Sequence, residues 1–315
     1  MTGSGFVSKL SVASLGLMLF CGPALGFDPT RPLTDYFPAP LATTPDDETK
    51  ESLPEADQPS TQDRLIELVN QERWNNGQLA PLKRVDLLDN SSQTHSVNMA
   101  NRDFFMHCDP DTYTWPWDRM VAAGYIWSGA AENIAAGYSS PEAAIAGWMG
   151  SSGHRANILS TSHREMGNGY HYQAGDQSNV RYSSTGSCTP NTTNGPWAHY
   201  WTQNFGYRSS VYPVIINREA YLTESRDVNL YFYSGGAEMR LRNEDGVWTA
   251  WQPFSANAAW QLSFGNETKT VNVEMRSGST VRSSSDTIIL ENTSDLLFAD
   301  DFETGTTSAW SDVNP

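Results

Sequence analysis

Apolar residues between positions 63 and 149 recur at three- and four-residue spacing, the period of helices that bury one face. The pattern predicts helices over residues 63–75, 86–104 and 141–149. Gly77 is suited to end the first helix, because glycine readily adopts the positive φ angle common after a helix. Ser140 is suited to cap the third. Strand-like runs follow at residues 166–172 and 199–205. Because helices and strands do not alternate regularly, we predict an α+β fold with an antiparallel sheet.

After Arg208 the pattern changes to short strands separated by turns. Strand-like runs cover residues 211–216, 228–233, 238–242, 268–275 and 287–290, with a hairpin signal at 243–246 (NEDG). Val271, Val273 and Met275 alternate with polar residues, as one buried face requires. We expect a small all-β, immunoglobulin-like sandwich over residues 208–291. Its core is predicted to contain the three tryptophans Trp248, Trp251 and Trp260.

The two ends of the chain lack these patterns. Residues 1–26 have Lys9 before an apolar run and small residues at the end, which is typical of a secretory signal peptide. A buried N-terminal helix and a lipid-modified Cys21 are the alternatives. Residues 27–60 are rich in Pro, Asp, Glu and Thr and are predicted to be a disordered linker. Residues 292–315 form a separate acidic tail.

Composition and charge limit where the protein can be located and which classes of partner it can bind. No stretch after residue 26 reaches the roughly 18 apolar residues of a membrane span, so we expect a secreted, extracellular or periplasmic protein. A net charge of −16 argues against nucleic acid and anionic membranes as partners. Cys108 and Cys188 remain after signal removal and are expected to form one disulfide, with two free thiols as the alternative. The disulfide would close a loop of about 80 residues and contribute about 4 kcal/mol.

Several short segments place a His or Glu beside apolar or small residues, where an ionisable group is costly unless it is paired. These segments are 95–100 (HSVNMA), 104–107 (FFMH), 131–135 (AENIA) and 153–159 (GHRANIL). Two imidazoles and a carboxylate that meet in space suit Zn²⁺ or another divalent cation, and they also suit acid–base chemistry.

Together these segments resemble the CAP superfamily, which comprises cysteine-rich secretory proteins, antigen 5 and pathogenesis-related 1, and in particular its bacterial SCP-like extracellular branch. The resemblance covers residues 64–207 and includes the motifs 68–73 (LVNQER), 118–120 (DRM), 147–149 (GWM) and 200–206 (YWTQNFG). It implies a three-layer α-β-α sandwich for residues 61–207. It also implies a cavity containing two His and two acidic residues.

The resemblance assigns the cavity residues one by one. His107 and His154 match the family's two His, and Glu132 matches its first Glu, although Ala131 stands where the family usually has Gly. The second Glu of the family is replaced by Ser151. Glu165 is a candidate substitute for the missing carboxylate.

Other ionisable residues have weaker claims on the cavity. His95 occupies a helical position that could border the cavity or be a core histidine. Glu165 is equally consistent with the surface, and Glu132 could simply fix a turn. We expect Arg119 to brace the site rather than contact a ligand, and His163 to lie on the surface.

Three functions are consistent with these residues. The resemblance favours a non-catalytic binding module whose pocket takes a divalent cation or a small hydrophobic ligand: a lipid, a sterol or a cell-wall component. The second is a metal-assisted hydrolase or protease using His107, Glu132 and His154, but the sequence has neither a Gly-x-Ser-x-Gly elbow nor a His-Glu-x-x-His helix. The third is an adhesive or structural surface protein.

Overall fold

The computed structural model describes residues 59–291. The predicted signal peptide, the linker up to residue 58 and the tail from residue 292 lie outside the described residues. Within residues 59–291, no helix is both long and apolar enough to cross a bilayer.

Helices occur before residue 208, together with strands. The helices are α1 Thr61–Asn75, α2 Asp86–Asn101, α3 Pro116–Ala122, α4 Pro141–Gly150 and α5 Ser152–Ile158. The strands of this part are β1 Lys83–Arg84, β2 Phe104–Phe105, β3 Gly129–Ala136, β4 Glu165–Tyr172, β5 Val180–Tyr182, β6 Thr192–Asn194 and β7 His199–Tyr207. Later strands are β8 Val214–Ile216, β9 Leu222–Thr223, β10 Asp227–Phe232, β11 Glu238–Asn243, β12 Gln252–Pro253, β13 Asn257–Gln261, β14 Thr268–Ser277 and β15 Thr280–Leu290.

The three helices predicted from periodicity are present. Ser60 caps α1 by accepting a hydrogen bond from the Asp63 amide, and Ser140 caps α4 through the Ala143 amide at 3.2 Å. Helix α2 ends three residues earlier than predicted because Asp103 takes a positive φ of 52° and the chain then enters β2. The pattern missed α3 and α5, each of only seven residues.

The main sheet of residues 61–207 has the strand order β1-β4-β7-β3, and β3 is therefore an edge strand. Strand β7 pairs antiparallel with both β3 and β4. Helices α1, α4 and α5 supply one face with a core in which Trp148 and Trp201 are buried. Helices α2 and α3 cover the opposite face. The predicted α-β-α layering is therefore present.

Helix α2 lies directly on β4. A Cβ atom at Gly167 would be 2.2 Å from the Asp89 amide nitrogen, and one at Gly169 would be 2.3 Å from the Gln93 nitrogen. The contact is polar as well as close, since the Ser92 hydroxyl donates to the Gly167 carbonyl at 3.1 Å. Only glycine at these two positions allows helix and strand backbones to approach so closely.

The part after residue 207 is built from two sheets. Their strand orders are β13-β10-β8 and β12-β11-β14-β15-β9. Val271, Val273 and Met275 are buried on one face of β14, as their alternation predicted. Their core also contains Leu230 and Leu241. The all-β prediction is therefore confirmed for the described residues.

The prediction for the tryptophans is wrong at two of three positions. Trp260 packs against the core, whereas Trp248 and Trp251 stack on the Arg240 guanidinium at 4.9 and 4.7 Å. Arg240 lies on β11 between the buried residues Met239 and Leu241, so it points to the opposite face of the sheet. The two indoles therefore cover the outer face of this sheet.

Polar contacts join the two parts. The Asn70 side-chain amide donates to the Arg218 carbonyl at 3.0 Å, and Lys83 on β1 pairs with Glu219 at 2.9 Å. Lys83 also pairs with Asp286. Burial, and then the charge of Asp286, raises the pKa of Glu219 above its ordinary value, despite the opposing effect of Lys83.

We predict that Gly167→Ala lowers the free energy of unfolding by about 1–3 kcal/mol or more, because the new methyl group would overlap the backbone of α2. Gly150→Ala is the matched control, since nothing lies within 4 Å of a Cβ there. It should change stability by less than about 1 kcal/mol. Urea unfolding of both variants measures the difference. Equal effects would show that the α2–β4 contact is not tightly packed.

Candidate functional site

The Glu132 carboxylate is the buried centre of the candidate site. Glu132 lies on the edge strand β3, and its side chain faces α2 and α3. Arg119 of α3 donates from Nη2 to Oε2 at 2.7 Å, and His107 Nδ1 lies 2.9 Å from Oε1. Both carboxylate oxygens are thus occupied by cationic or imidazole donors, which is the condition for burying such a charge.

The charge of Glu132 is fixed by these neighbours. Burial raises the pKa of its carboxyl group, but Arg119, His95 and His107 together lower that pKa to about 2. Glu132 is therefore ionised throughout the neutral range. In that state it accepts hydrogen bonds and does not serve as a proton donor.

His107 is the exposed member of the pair. It follows β2 and precedes Cys108, and its carbonyl accepts from Arg119 Nη1 at 2.9 Å. Its side chain is 44 % exposed. Because Nδ1 faces the carboxylate, Nδ1 carries the proton in the neutral ring and Nε2 presents a lone pair. His107 can therefore accept a hydrogen bond from a ligand.

His154 approaches the same edge strand from the opposite layer of the sandwich. Asn133 follows Glu132 on β3, so its side chain points to the other face. There it donates to the His154 carbonyl at 3.2 Å and accepts from Asn157 at 2.9 Å. Burial, and then the charge of His107, lowers the pKa of His154 to about 4. His154 is therefore a neutral imidazole within electrostatic reach of His107.

His95 lies beneath the Glu132–Arg119 pair and is fully buried on α2. Its Nε2 donates to the Met106 carbonyl at 2.9 Å, and its Nδ1 has no partner among residues 59–291. Burial, and then the charge of Arg119, lowers its pKa to about 3. It is a neutral residue of the core, and its place at the border of a ligand cavity stays a prediction.

Glu165 does not take the place of the missing carboxylate, and this expectation is wrong. Its buried side chain accepts from the Tyr125 hydroxyl at 2.8 Å and from Arg208 Nη2 at 2.5 Å. The sheet explains the separation. Glu165 pairs with Gly206, whereas Glu132 pairs with Asn204 from the other side of β7, so β7 separates the two carboxylates.

Ser151 joins α4 to α5 and caps α5, where its carbonyl accepts from the Arg155 amide at 2.8 Å. Its hydroxyl makes no hydrogen bond to His107, Glu132 or His154 in the described part of the chain. His163 is also not where we expected it: it is buried and stacks on Phe205 at 5.6 Å. Burial lowers its pKa to about 4.

The disulfide between Cys108 and Cys188 is present. It fixes the residue next to His107. Sequence reasoning anticipated Arg119 as a brace but missed that Asn133 and Asn157 hold α5 against β3. Their signal was the placement of Asn157 three residues after His154, one helical turn along the same face.

The residues do not fit a divalent metal ion as the structure arranges them. Both oxygens of Glu132 are occupied, and the Arg119 guanidinium lies 2.7 Å from one of them. Within residues 59–291, no group of three His, Cys, Asp or Glu side chains is arranged to hold a metal ion. A Zn²⁺ site in proteins usually has three or four such ligands.

The comparison with protein families agrees with this architecture. Residues 66–205 match the model of the CAP family, described as the cysteine-rich secretory protein family. This part of the chain is a CAP domain, and the resemblance seen in the sequence motifs is confirmed.

Two curated relatives come from Bacillus subtilis (strain 168). The chain is 39 % identical over 107 residues to the uncharacterized protein YkwD, which is 34 % of this chain and 41 % of that protein. It is 30 % identical over 112 residues to the uncharacterized membrane protein YlbC, which is 36 % of this chain and 32 % of that protein. The chain thus spans less than half of the length of either relative.

Solved structures similar to this chain include two bacterial proteins. One is an extracellular protein containing a SCP domain from Bacillus anthracis str. Ames, with 25 % identity, a TM-score of 0.36, and coverage of 47 % of this chain and 40 % of that one. The other is a cysteine-rich secretory protein from Staphylococcus aureus subsp. aureus Mu50, with 18 % identity, a TM-score of 0.31, and coverage of 49 % and 41 %.

We predict that Arg119→Ala lowers the free energy of unfolding by about 3–5 kcal/mol, because it leaves the Glu132 charge buried without its cation. The double variant Arg119→Met/Glu132→Leu should recover most of this loss, since it removes both charges. Urea unfolding near neutral pH measures both. A loss below about 1 kcal/mol for Arg119→Ala would mean that solvent already screens the pair.

The buried imidazoles predict acid sensitivity. Between pH 6.5 and about 4 the unfolded chain binds protons on His95, His154 and His163, whereas the folded chain keeps these rings neutral. Stability should therefore fall as pH is lowered through this range, by up to about 1.4 kcal/mol per pH unit for each His. His95→Gln removes one of these three groups, so it should reduce the dependence of stability on pH by up to about 1.4 kcal/mol per pH unit. Above pH 6.5 the slopes of variant and wild type should coincide, and equal slopes below it would contradict the prediction.

Proposed function

We propose that the CAP domain is a non-catalytic binding module and that His107 and His154 bind a small ligand at the edge of the sheet. One observation carries the proposal: the Glu132 carboxylate lies 2.9 Å from His107 Nδ1, and Nε2 of this partly exposed ring has no hydrogen-bond partner within residues 59–291. His154 supplies a second imidazole, which is neutral, from the other layer. A hydroxyl or amide donor on the ligand is the matching group.

The surroundings of the site favour an amphipathic ligand such as a lipid or sterol over a purely polar cell-wall fragment. Helix α3, which carries Arg119, also exposes Trp117 and Val121. Trp115 and Trp117 stack at 5.3 Å, and Tyr113 and Ile126 on the flanks of α3 are 67 % and 66 % exposed. These exposed apolar side chains lie on and beside the helix that carries Arg119, and they support a ligand with a hydroxyl head and a hydrophobic body.

Three further assignments belong to this proposal. We infer that the protein is secreted, which is supported by the signal-like pattern of residues 1–26. The two sheets after residue 207 support an immunoglobulin-like sandwich. A divalent cation is not the ligand we favour, because Glu132 is already fully paired.

Solvent extraction of the secreted protein followed by mass spectrometry tests the binding proposal. A co-purifying small molecule should be present in the wild type and lost from the double variant His107→Ala/His154→Ala. His171→Ala is the control and should retain the molecule, because His171 lies farther along β4 and pairs with Tyr200. Equal recovery from the double variant would exclude the site, and so would no recovery from the wild type after incubation with a lipid and sterol mixture.

A second candidate function is hydrolysis, because a His oriented by a carboxylate is also the arrangement of a general base. His107 would take a proton from water through Nε2, with Glu132 stabilising the resulting imidazolium. No serine hydroxyl contacts either ring in the described residues, so water would be the nucleophile. A panel of peptides and esters tests this alternative. Turnover by the wild type that is lost in His107→Ala but kept in His171→Ala would favour it over binding alone.

A further inference from the structure

The β-sandwich carries an open groove of about 700 Å³ that lies outside the His107–Glu132 site. It is formed where β10, β11 and β13 come together. Its lining includes Asp227, Arg242, Asn243, Val247, Trp260 and Gln261. The groove therefore combines one indole, one aliphatic side chain and several hydrogen-bonding groups.

The indole is held in place by the strand beside it. Trp260 donates from Nε1 to the Asn243 side-chain oxygen at 2.5 Å, and Asn243 donates in turn to the Gln261 carbonyl at 2.9 Å. One side of Trp260 packs on the core, and the residue also lines the groove. A preorganised aromatic surface loses little entropy when a ligand stacks on it.

The polar side chains of the groove are oriented by contacts with their neighbours, and their charges balance. Gln261 donates from Nε2 to Asp227 Oδ1 at 3.1 Å, which orients both side chains. Arg242 stacks on Trp248 at 4.6 Å, which positions its guanidinium. One cation and one anion leave the lining without net charge, so the groove does not select for phosphate groups or for a strongly cationic ligand.

We propose that this groove binds a neutral carbohydrate chain. A pyranose ring has an apolar face of C–H groups and an edge of hydroxyls. Trp260 and Val247 match the apolar face, while the Asp227–Gln261 pair offers an acceptor and a donor to hydroxyls. Val247 at the rim is 94 % exposed, so a chain longer than the groove can continue past it. This site extends beyond the function proposed for the CAP domain and does not depend on it.

The test uses the full mature chain and isothermal titration calorimetry. The probes are tetrasaccharides of β-1,4-linked glucose, β-1,4-linked N-acetylglucosamine and α-1,4-linked glucose. We expect one site per chain for at least one probe. Asp227→Ala and Trp260→Ala should weaken it at least about tenfold, the change expected for losing one good contact. Asp227 is exposed, so its variant keeps the test valid even if Trp260→Ala fails to fold.

Two controls separate this groove from the rest of the molecule. Trp251→Ala removes an indole that stacks on Arg276 at 4.2 Å on the outer sheet face, and it should leave affinity within about twofold. His171→Ala, in the CAP domain, should also leave the affinity unchanged. The proposal is overturned if no probe binds the wild type, if Asp227→Ala binds normally, or if Trp251→Ala weakens binding as much as Trp260→Ala does.

Discussion

Direct contact between helix α2 and strand β4 is the constraint on which the rest of the CAP domain depends. Gly167 and Gly169 leave no side chains between the two backbones. The backbone of α2 is therefore closer to the backbone of β4 than it could be with any larger residue at these positions. Small polar groups fill the remaining interface: Ser96 donates to the Thr202 hydroxyl at 2.9 Å. The C-terminal end of α2 then leads through β2 to His107, and this path places the imidazole over the edge strand.

The buried charge on Glu132 sets the chemistry available at that edge. A carboxylate paired with Arg119 stays ionised, so it orients His107 and stabilises a positive ring but does not deliver a proton. The motif resemblance implies Ser151 in place of a second acidic group, and Glu165 is paired with Tyr125 and Arg208. The ionised Glu132 carboxylate and the neutral His154 imidazole thus place hydrogen-bond acceptors beside His107. This balance is the basis of our proposal that the site holds a ligand.

The parts of the fold that repeat along the chain were predictable from sequence. Burial follows the sequence period in two places: along the helices α1, α2 and α4, and along β14, where Val271, Val273 and Met275 alternate with polar residues. Segments of seven residues, such as α3 and α5, are too short to show a period. The positions of His107, Glu132 and His154 came from motif resemblance, because spacing along the chain carries no information about three segments that meet in space. Glu165 was misplaced for the same reason, since strand order decides which carboxylates become neighbours.

The bond between Cys108 and Cys188 gives the site a dependence on the compartment in which the chain folds. It closes a segment with a sequence separation of 80 residues directly beside His107. In a reducing cytosol these thiols would stay apart, and the His107 loop would rely on its remaining contacts, among them the hydrogen bond from Arg119 to the His107 carbonyl and the Arg102–Asp109 ion pair. In an oxidising compartment the bond can form, and it then removes much of that loop's freedom. Oxidation of this pair would therefore order the loop that carries His107, and protein made in reducing cells would have a less ordered loop.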